Sequence, residues 1–260
     1  MRIVVLGSGS SGNCTFIESG RTRLLVDLGF GPRSLARRFR EAGLSGARID
    51  AILITHGHTD HVKGIAPFVQ RQPAVVYATL GTREEVADLA VLDRIETFHA
   101  GETFDIGDLT IETFPIPHDA AEPVGFSIRS NGVRGLIATD VGHLSAALVE
   151  RTRGCDWLIL ESNHDVELLK VGPYPWELKR RVLGPWGHLS NTELADFLLE
   201  DFDGQARHLW LAHLSRKNNL PALALSTAQE ALRRRERLGR GCSTQVHLTH
   251  QTVPSIVVDL

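Results

Sequence analysis

The sequence predicts an α/β protein in which helices cover mixed β-sheets. Three observations carry this expectation. The chain has 260 residues, enough for one large domain with a proper core. Short apolar runs bounded by glycine cluster near the start and again in the middle. Segments with apolar residues at helical spacing lie between them, the element mixture of layered α/β folds. No low-complexity stretch, charge block or Pro/Ser-rich linker divides residues 1–260, so a single domain is expected.

Strands are read first at 3–6, 14–18 and 24–27, separated by glycine-rich turns. A helix follows over 33–42, with Leu35 and Phe39 on one face and arginines on the other. The apolar strand AILIT, 51–55, delivers the chain into a histidine-rich loop. Helix and strand segments alternate to Phe98, and strands recur at 109–114, 125–129 and 135–139. Further helices are expected at 144–151, 191–200 and 224–237, with strands at 157–160 and 208–212.

Composition excludes several classes. Hydrophobic residues at 42% and charged residues at 23% match a globular chain, not a disordered or fibrous one. A net charge of −3 gives no global attraction to nucleic acid and leaves only local patches. Cys14, Cys155 and Cys242 are odd in number and far apart, so reduced thiols in the cytoplasm are expected. The only apolar run before Gly7 is too short for a signal segment, and no 18 apolar residues run together, so no membrane partner is expected. The sequence allows a homo-oligomer.

The strongest feature is His56-Gly57-His58-Thr59-Asp60-His61, directly after AILIT. In extended backbone, residues two apart face the same way, so His56 and His58 can converge on one ion. Asp60 and His61 turn into the next helix and serve a second position. Imidazole and carboxylate ligands suit zinc, manganese or iron(II), and the lack of thiolate argues against a closed structural zinc site. One loop cannot complete two coordination spheres. His118, Asp140 and His213 each follow an apolar strand, where loops rim a cleft. His164 is an alternative to His213, and His143 lines the site or caps the helix after it. His99, His208, His247 and His250 carry no such pattern.

These motifs resemble the metallo-β-lactamase superfamily, and within it the YycJ/WalJ group. The resemblance rests on GSGSSGN, HGHTDH, PHDAAEPVGFSI, ATDVGH, LESNHD, GPYPWELKRRVLGPWGHLSN and AHLSRKN, spread from Gly7 to Asn218. It implies a four-layer αββα sandwich with a dinuclear site at one edge. One ion would be held by His56, His58 and His118, the other by Asp60, His61 and His213, with Asp140 bridging. Asp27, closing LLVDLG, matches a supporting position. Gly9 and Asn13 of the first loop and Asn163 of LESNHD are candidate substrate contacts.

Two zinc or manganese ions, or less favourably iron, would acidify a bridging water and hold a phosphodiester oxygen. Asp60 would orient the resulting hydroxide and accept its proton. His188 stands just before a capping box formed by Ser190 and Glu193, where an anion can dock. Ribonuclease Z-like phosphodiesterases place a catalytic histidine in a similar segment, paired with a glutamate like Glu161. Leu194, Phe197 and Leu198 form the apolar stripe of the helix that follows. Lys179, Arg180 and Arg181 precede His188, and Arg216 and Lys217 follow His213. With Tyr174, Trp176 and Trp186 interleaved, they fit a groove that holds phosphates and stacks bases. Arg233, Arg234 and Arg235 read as a solvated helix face.

The resemblance therefore implies a metal-dependent phosphodiesterase acting on nucleic acid, as a 5′ DNA exonuclease does. The second reading is a small-molecule phosphodiesterase or lactonase, with promiscuous β-lactam hydrolysis, because the chain lacks an inserted β-CASP domain. A flavodiiron-type redox protein would carry glutamate where His58 stands. A metal-free scaffold would not fill every ligand position.

Overall fold

The computed structural model describes residues 1–90 and 92–260. The chain begins with strands β1 (Arg2–Gly7), β2 (Cys14–Ser19) and β3 (Thr22–Val26), then helix α1 (Pro32–Glu41) and β4 (Ala51–Leu53). Short helices α2 (Thr59–Val62) and α3 (Ile65–Val69) lead to β5 (Val75–Thr79), and α4 (Leu80–Glu85) and α5 (Ala87–Ala90) lead to β6 (Ile95–Phe98). Four strands follow without a helix: β7 (Thr103–Ile106), β8 (Leu109–Pro115), β9 (Val124–Ser130) and β10 (Val133–Ala138). Next come α6 (Ala146–Thr152), β11 (Trp157–Glu161), α7 (Val166–Val171), α8 (Trp176–Val182) and α9 (Asn191–Glu200). The chain closes with β12 (His208–Ala212), α10 (Pro221–Arg237), β13 (Gln245–Leu248) and β14 (Val258–Asp259).

The strands make two seven-stranded mixed sheets. The chain forms two compact units. The first contains 1–115, 120–133 and 250–260; the second contains 116–119 and 134–249. Unit one holds the whole sheet of order β14-β1-β2-β3-β4-β5-β6 and the antiparallel strands β7, β8 and β9. Its core includes Val4, Phe16, Leu25, Ile52 and Val76, all fully buried, under Leu35 and Phe39 of α1. Pro32 opens α1 where no N–H is needed. Arg38 turns inward from that helix, donating to the carbonyls of Leu6 and Gln251 at 2.6 Å each and lying 3.9 Å over the Phe30 ring.

Unit two is built on parallel strands β10, β11, β12 and β13, with Ile137, Ile159, Trp210 and His247 in one register row. Helix α9 begins at the expected capping box, and Leu194, Phe197 and Leu198 are buried. Helix α6 starts later than expected because Ser145 caps it, accepting from Leu148 N–H; His143 does not. Helix α10 starts earlier, at Pro221. Arg235 of α10 departs from the expected solvated face: it is buried, 5.6 Å above the Phe202 ring. All three cysteines are free thiols, two of them buried. Among the described residues no helix is long and apolar enough to cross a membrane.

Candidate active site

In unit one, β3 and β4 run parallel with Val26 opposite Leu53, so Asp27 and the segment after Leu53 leave the sheet at one carboxyl edge. The strand expected to reach Thr55 stops at Leu53. Asp27 adopts a left-handed φ of 59°, which costs about 1 kcal/mol or more. Its Oδ1 accepts the Thr55 backbone N–H at 2.9 Å, and its Oδ2 lies 2.7 Å from His61 Nδ1. Asp27 therefore accepts the Nδ1 proton and leaves Nε2 as the lone-pair nitrogen of His61. The Asn13 amide donates to that Nε2 at 2.9 Å. His56 Nε2 and His58 Nδ1 face each other at 3.0 Å. Asp60 Oδ2 is 3.8 Å from His61 Nε2. Position 9 is a glycine and offers only backbone groups: Asn13 Oδ1 accepts its N–H at 2.7 Å, and its carbonyl accepts from Gly12 N–H at 2.8 Å.

In unit two, Ala138, Leu160 and Leu211 share a register row, so Asp140, Glu161 and His213 emerge together at the carboxyl edge of three parallel strands. Asp140 and His213 also take left-handed φ values, 58° and 55°. Such strain is kept where a side chain must be aimed. Glu161 is fully buried and accepts from four N–H groups. Its Oε1 lies 2.8 Å from His188 Nδ1 and 3.0 Å from His213 Nδ1. Its Oε2 takes the backbone N–H groups of Val141 at 2.7 Å and Leu189 at 3.2 Å. Burial pushes this carboxyl up, but the neighbouring His188 and the imidazole hydrogen bonds outweigh it and hold Glu161 well below the usual range.

With both Nδ1 atoms directed at Glu161, His188 and His213 turn their Nε2 atoms away from the carboxylate. Donor atoms of Asp140, Glu161, His188 and His213 all lie within 4.8 Å of one another. His118 faces the Gly187 carbonyl through Nδ1 at 3.1 Å, with its ring 5.3 Å from that of His188. Carboxylate-anchored imidazoles with no thiolate among them fit a divalent ion such as zinc or manganese. His164 does not join this cluster. Its ring is buried without a hydrogen bond, and burial lowers its pKa.

The expected substrate contacts divide. Arg180 and Arg216 are exposed. Arg181 pairs with Asp119 at 2.6 Å. Lys179 is turned inward, its Nζ 2.6 Å from the Lys170 carbonyl, so it is not part of a solvated basic face. Asn163 donates to the His213 carbonyl at 2.8 Å. Sequence reasoning missed the amides beside it. Asn219 donates to the carbonyls of Ser162 and Asn163 at 2.9 and 3.0 Å, and Asn191 donates to Asn219 at 2.9 Å. Asn191 ends the GPYPWELKRRVLGPWGHLSN string and Asn219 directly follows AHLSRKN, but nothing local distinguishes a buried amide network from a polar loop.

The family model described as a beta-lactamase superfamily domain matches residues 22–214. The exodeoxyribonuclease YycJ of Bacillus anthracis is 33% identical over 254 residues, 96% of each chain. This chain belongs to the metallo-β-lactamase superfamily. Solved structures agree on the fold. The metallo-β-lactamase fold protein YhfI from Bacillus subtilis aligns with a TM-score of 0.71 at 18% identity, covering 97% of this chain and 98% of its own. The Zn(2+)-bound PqqB from Methylobacterium extorquens aligns with a TM-score of 0.70 at 20% identity over all of both chains. The chain thus has the metallo-β-lactamase fold, with two seven-stranded mixed sheets and flanking helices, and carries buried clusters of histidine and carboxylate suited to a metal.

Proposed function

We propose that this superfamily member is a divalent-metal-dependent phosphodiesterase that removes nucleotides from DNA 5′ ends. One observation carries the reading: His188 is anchored through Nδ1 on Glu161 at 2.8 Å, beside Asp140 and His213, with Nε2 left to serve a substrate. The near-full-length similarity to a protein named an exodeoxyribonuclease supports DNA as the substrate. In this reading His56, His58 and His118 would hold one ion, Asp60, His61 and His213 would hold the second, and Asp140 would serve both. Zinc or manganese suits these donors better than iron. Such ions supply Lewis acidity toward phosphoryl oxygens and lower the pKa of water towards neutrality.

The protein's own groups do the rest. Asp60 orients the attacking water and accepts its proton. His188, protonated, gives a proton to the leaving alkoxide, while Glu161 fixes its ring and stabilises the imidazolium. Asp27 keeps His61 in the tautomer that presents Nε2. Arg180, Arg181 and Arg216 meet backbone phosphates; Gly9, Asn13 and Asn163 shape the adjoining loops. Metal-reconstituted protein should release mononucleotides stepwise from the 5′ end of labelled DNA. Equal degradation of RNA, internal cuts, or turnover of small esters alone would overturn the assignment.

A further inference from the structure

We propose that Trp186 is a stacking platform for one nucleobase of the substrate, so that the enzyme grips an unpaired nucleotide beside the phosphate it cleaves. This rests on the nuclease reading above and adds a specificity determinant to it. Trp186 is 60% exposed. Leaving a large ring in water forfeits the stabilisation its burial would give, and its apolar faces stay available for stacking. The backbone on either side of it is held in place. Gly187 N–H donates to the Gly184 carbonyl at 2.9 Å, and His188 N–H donates to that of Val182 at 3.0 Å. His143 Nδ1 lies 3.0 Å from the Pro185 carbonyl. Gly142 packs so closely that a Cβ there would stand 2.1 Å from that carbonyl oxygen and 2.8 Å from the Trp186 nitrogen.

The same short segment also builds the site. Gly187, the next residue, presents its carbonyl to His118, and His188 follows on Glu161. Gly142 lies two residues beyond Asp140. An exposed indole is therefore held one residue from the group that orients His118 and two from the proposed acid. A base is the apolar, planar part of a nucleotide, and every base offers a π-face. Stacking explains recognition that tolerates any sequence but needs the base unpaired.

The test uses a single-stranded thymidine dodecamer and a series with one abasic nucleotide moved along its 5′ half. Binding is read by anisotropy on metal-free protein and cleavage on the metal-loaded enzyme. Trp186→Ala should weaken binding of the intact strand and raise its KM, each about tenfold, with Trp186→Phe recovering most of the loss. At one abasic position wild type and Trp186→Ala should become equal. A Trp186→Ala enzyme that matches wild type on the intact strand, or that loses as much on every abasic strand, would overturn the proposal. Trp186-dependent binding without cleavage would leave the platform standing and sink the nuclease reading instead. Absence of binding to any strand would sink both.

Discussion

The Glu161 carboxylate accepts from four N–H groups, so replacing it tests tautomers and stability together. A glutamine there offers one acceptor and one NH₂, and some of the four donors would then face another donor. Glu161→Gln should cost about 2–4 kcal/mol. In a chain of this length the melting temperature should fall by roughly 5 °C or more. An unchanged melting curve would show that the carboxylate is not the shared acceptor. His188 belongs to the same arrangement but is asked to act on substrate. His188→Ala should lower turnover of DNA by roughly 10²–10⁴-fold. A p-nitrophenyl phosphodiester, whose leaving group needs no proton, should lose far less, and metal content should stay constant. Equal losses on both substrates would remove the acid role. The left-handed φ at Asp27, Asp140 and His213 could not be read in advance. Aspartate and histidine are several-fold enriched in that region, yet only a small minority of them adopt it, so residue type alone does not point to these three.

At the scale of elements, those whose apolar runs are central in a sheet were legible: β1, β2, β3, β11 and β12 lie within a residue or two of where the pattern puts them. The short strands β7, β13 and β14 escaped, since they lie at sheet edges and carry many polar residues. Helices α7 and α8 escaped because glycine and proline between them read as loop. Lys179 and Arg235 show the limit of charge patterning: local spacing says nothing about what packs over a helix face. Edge strand β13 makes its own prediction. His247 Nε2 lies 2.9 Å from His208 Nδ1 on β12. Burial, aided by the charge of His208, lowers the His247 pKa to about 4. The unfolded chain, titrating near 6.5, then binds more protons than the folded one between about pH 6.5 and 4. Stability should fall as pH drops through that window. His247→Gln should flatten the melting-temperature profile between pH 6.5 and 5, where carboxylates remain ionised. A profile identical to wild type would show that the pair does not resist protonation.

At the scale of the whole molecule, both histidine and carboxylate groupings sit at carboxyl edges of parallel strands. That placement follows from topology, and it explains why polar residues just after apolar strands were informative in the sequence while isolated histidines were not. The proposed ligand set draws on seven side chains, more than one ion of four to six ligands uses. Two ions per chain are therefore expected under metal excess by elemental analysis. Metal should also raise the melting temperature, because an ion that binds only the folded chain stabilises it by mass action. Asp140→Ala separates the alternatives. If Asp140 serves both ions, its loss should weaken both, leaving well under two ions after dialysis and shrinking the metal-induced rise in melting temperature. His58→Ala should chiefly release one ion and leave the other. Retention of two ions by Asp140→Ala would exclude the shared role. A stoichiometry fixed at one in the wild type would mean that His61, with Asp27 behind it, serves the substrate or the fold and not a second metal.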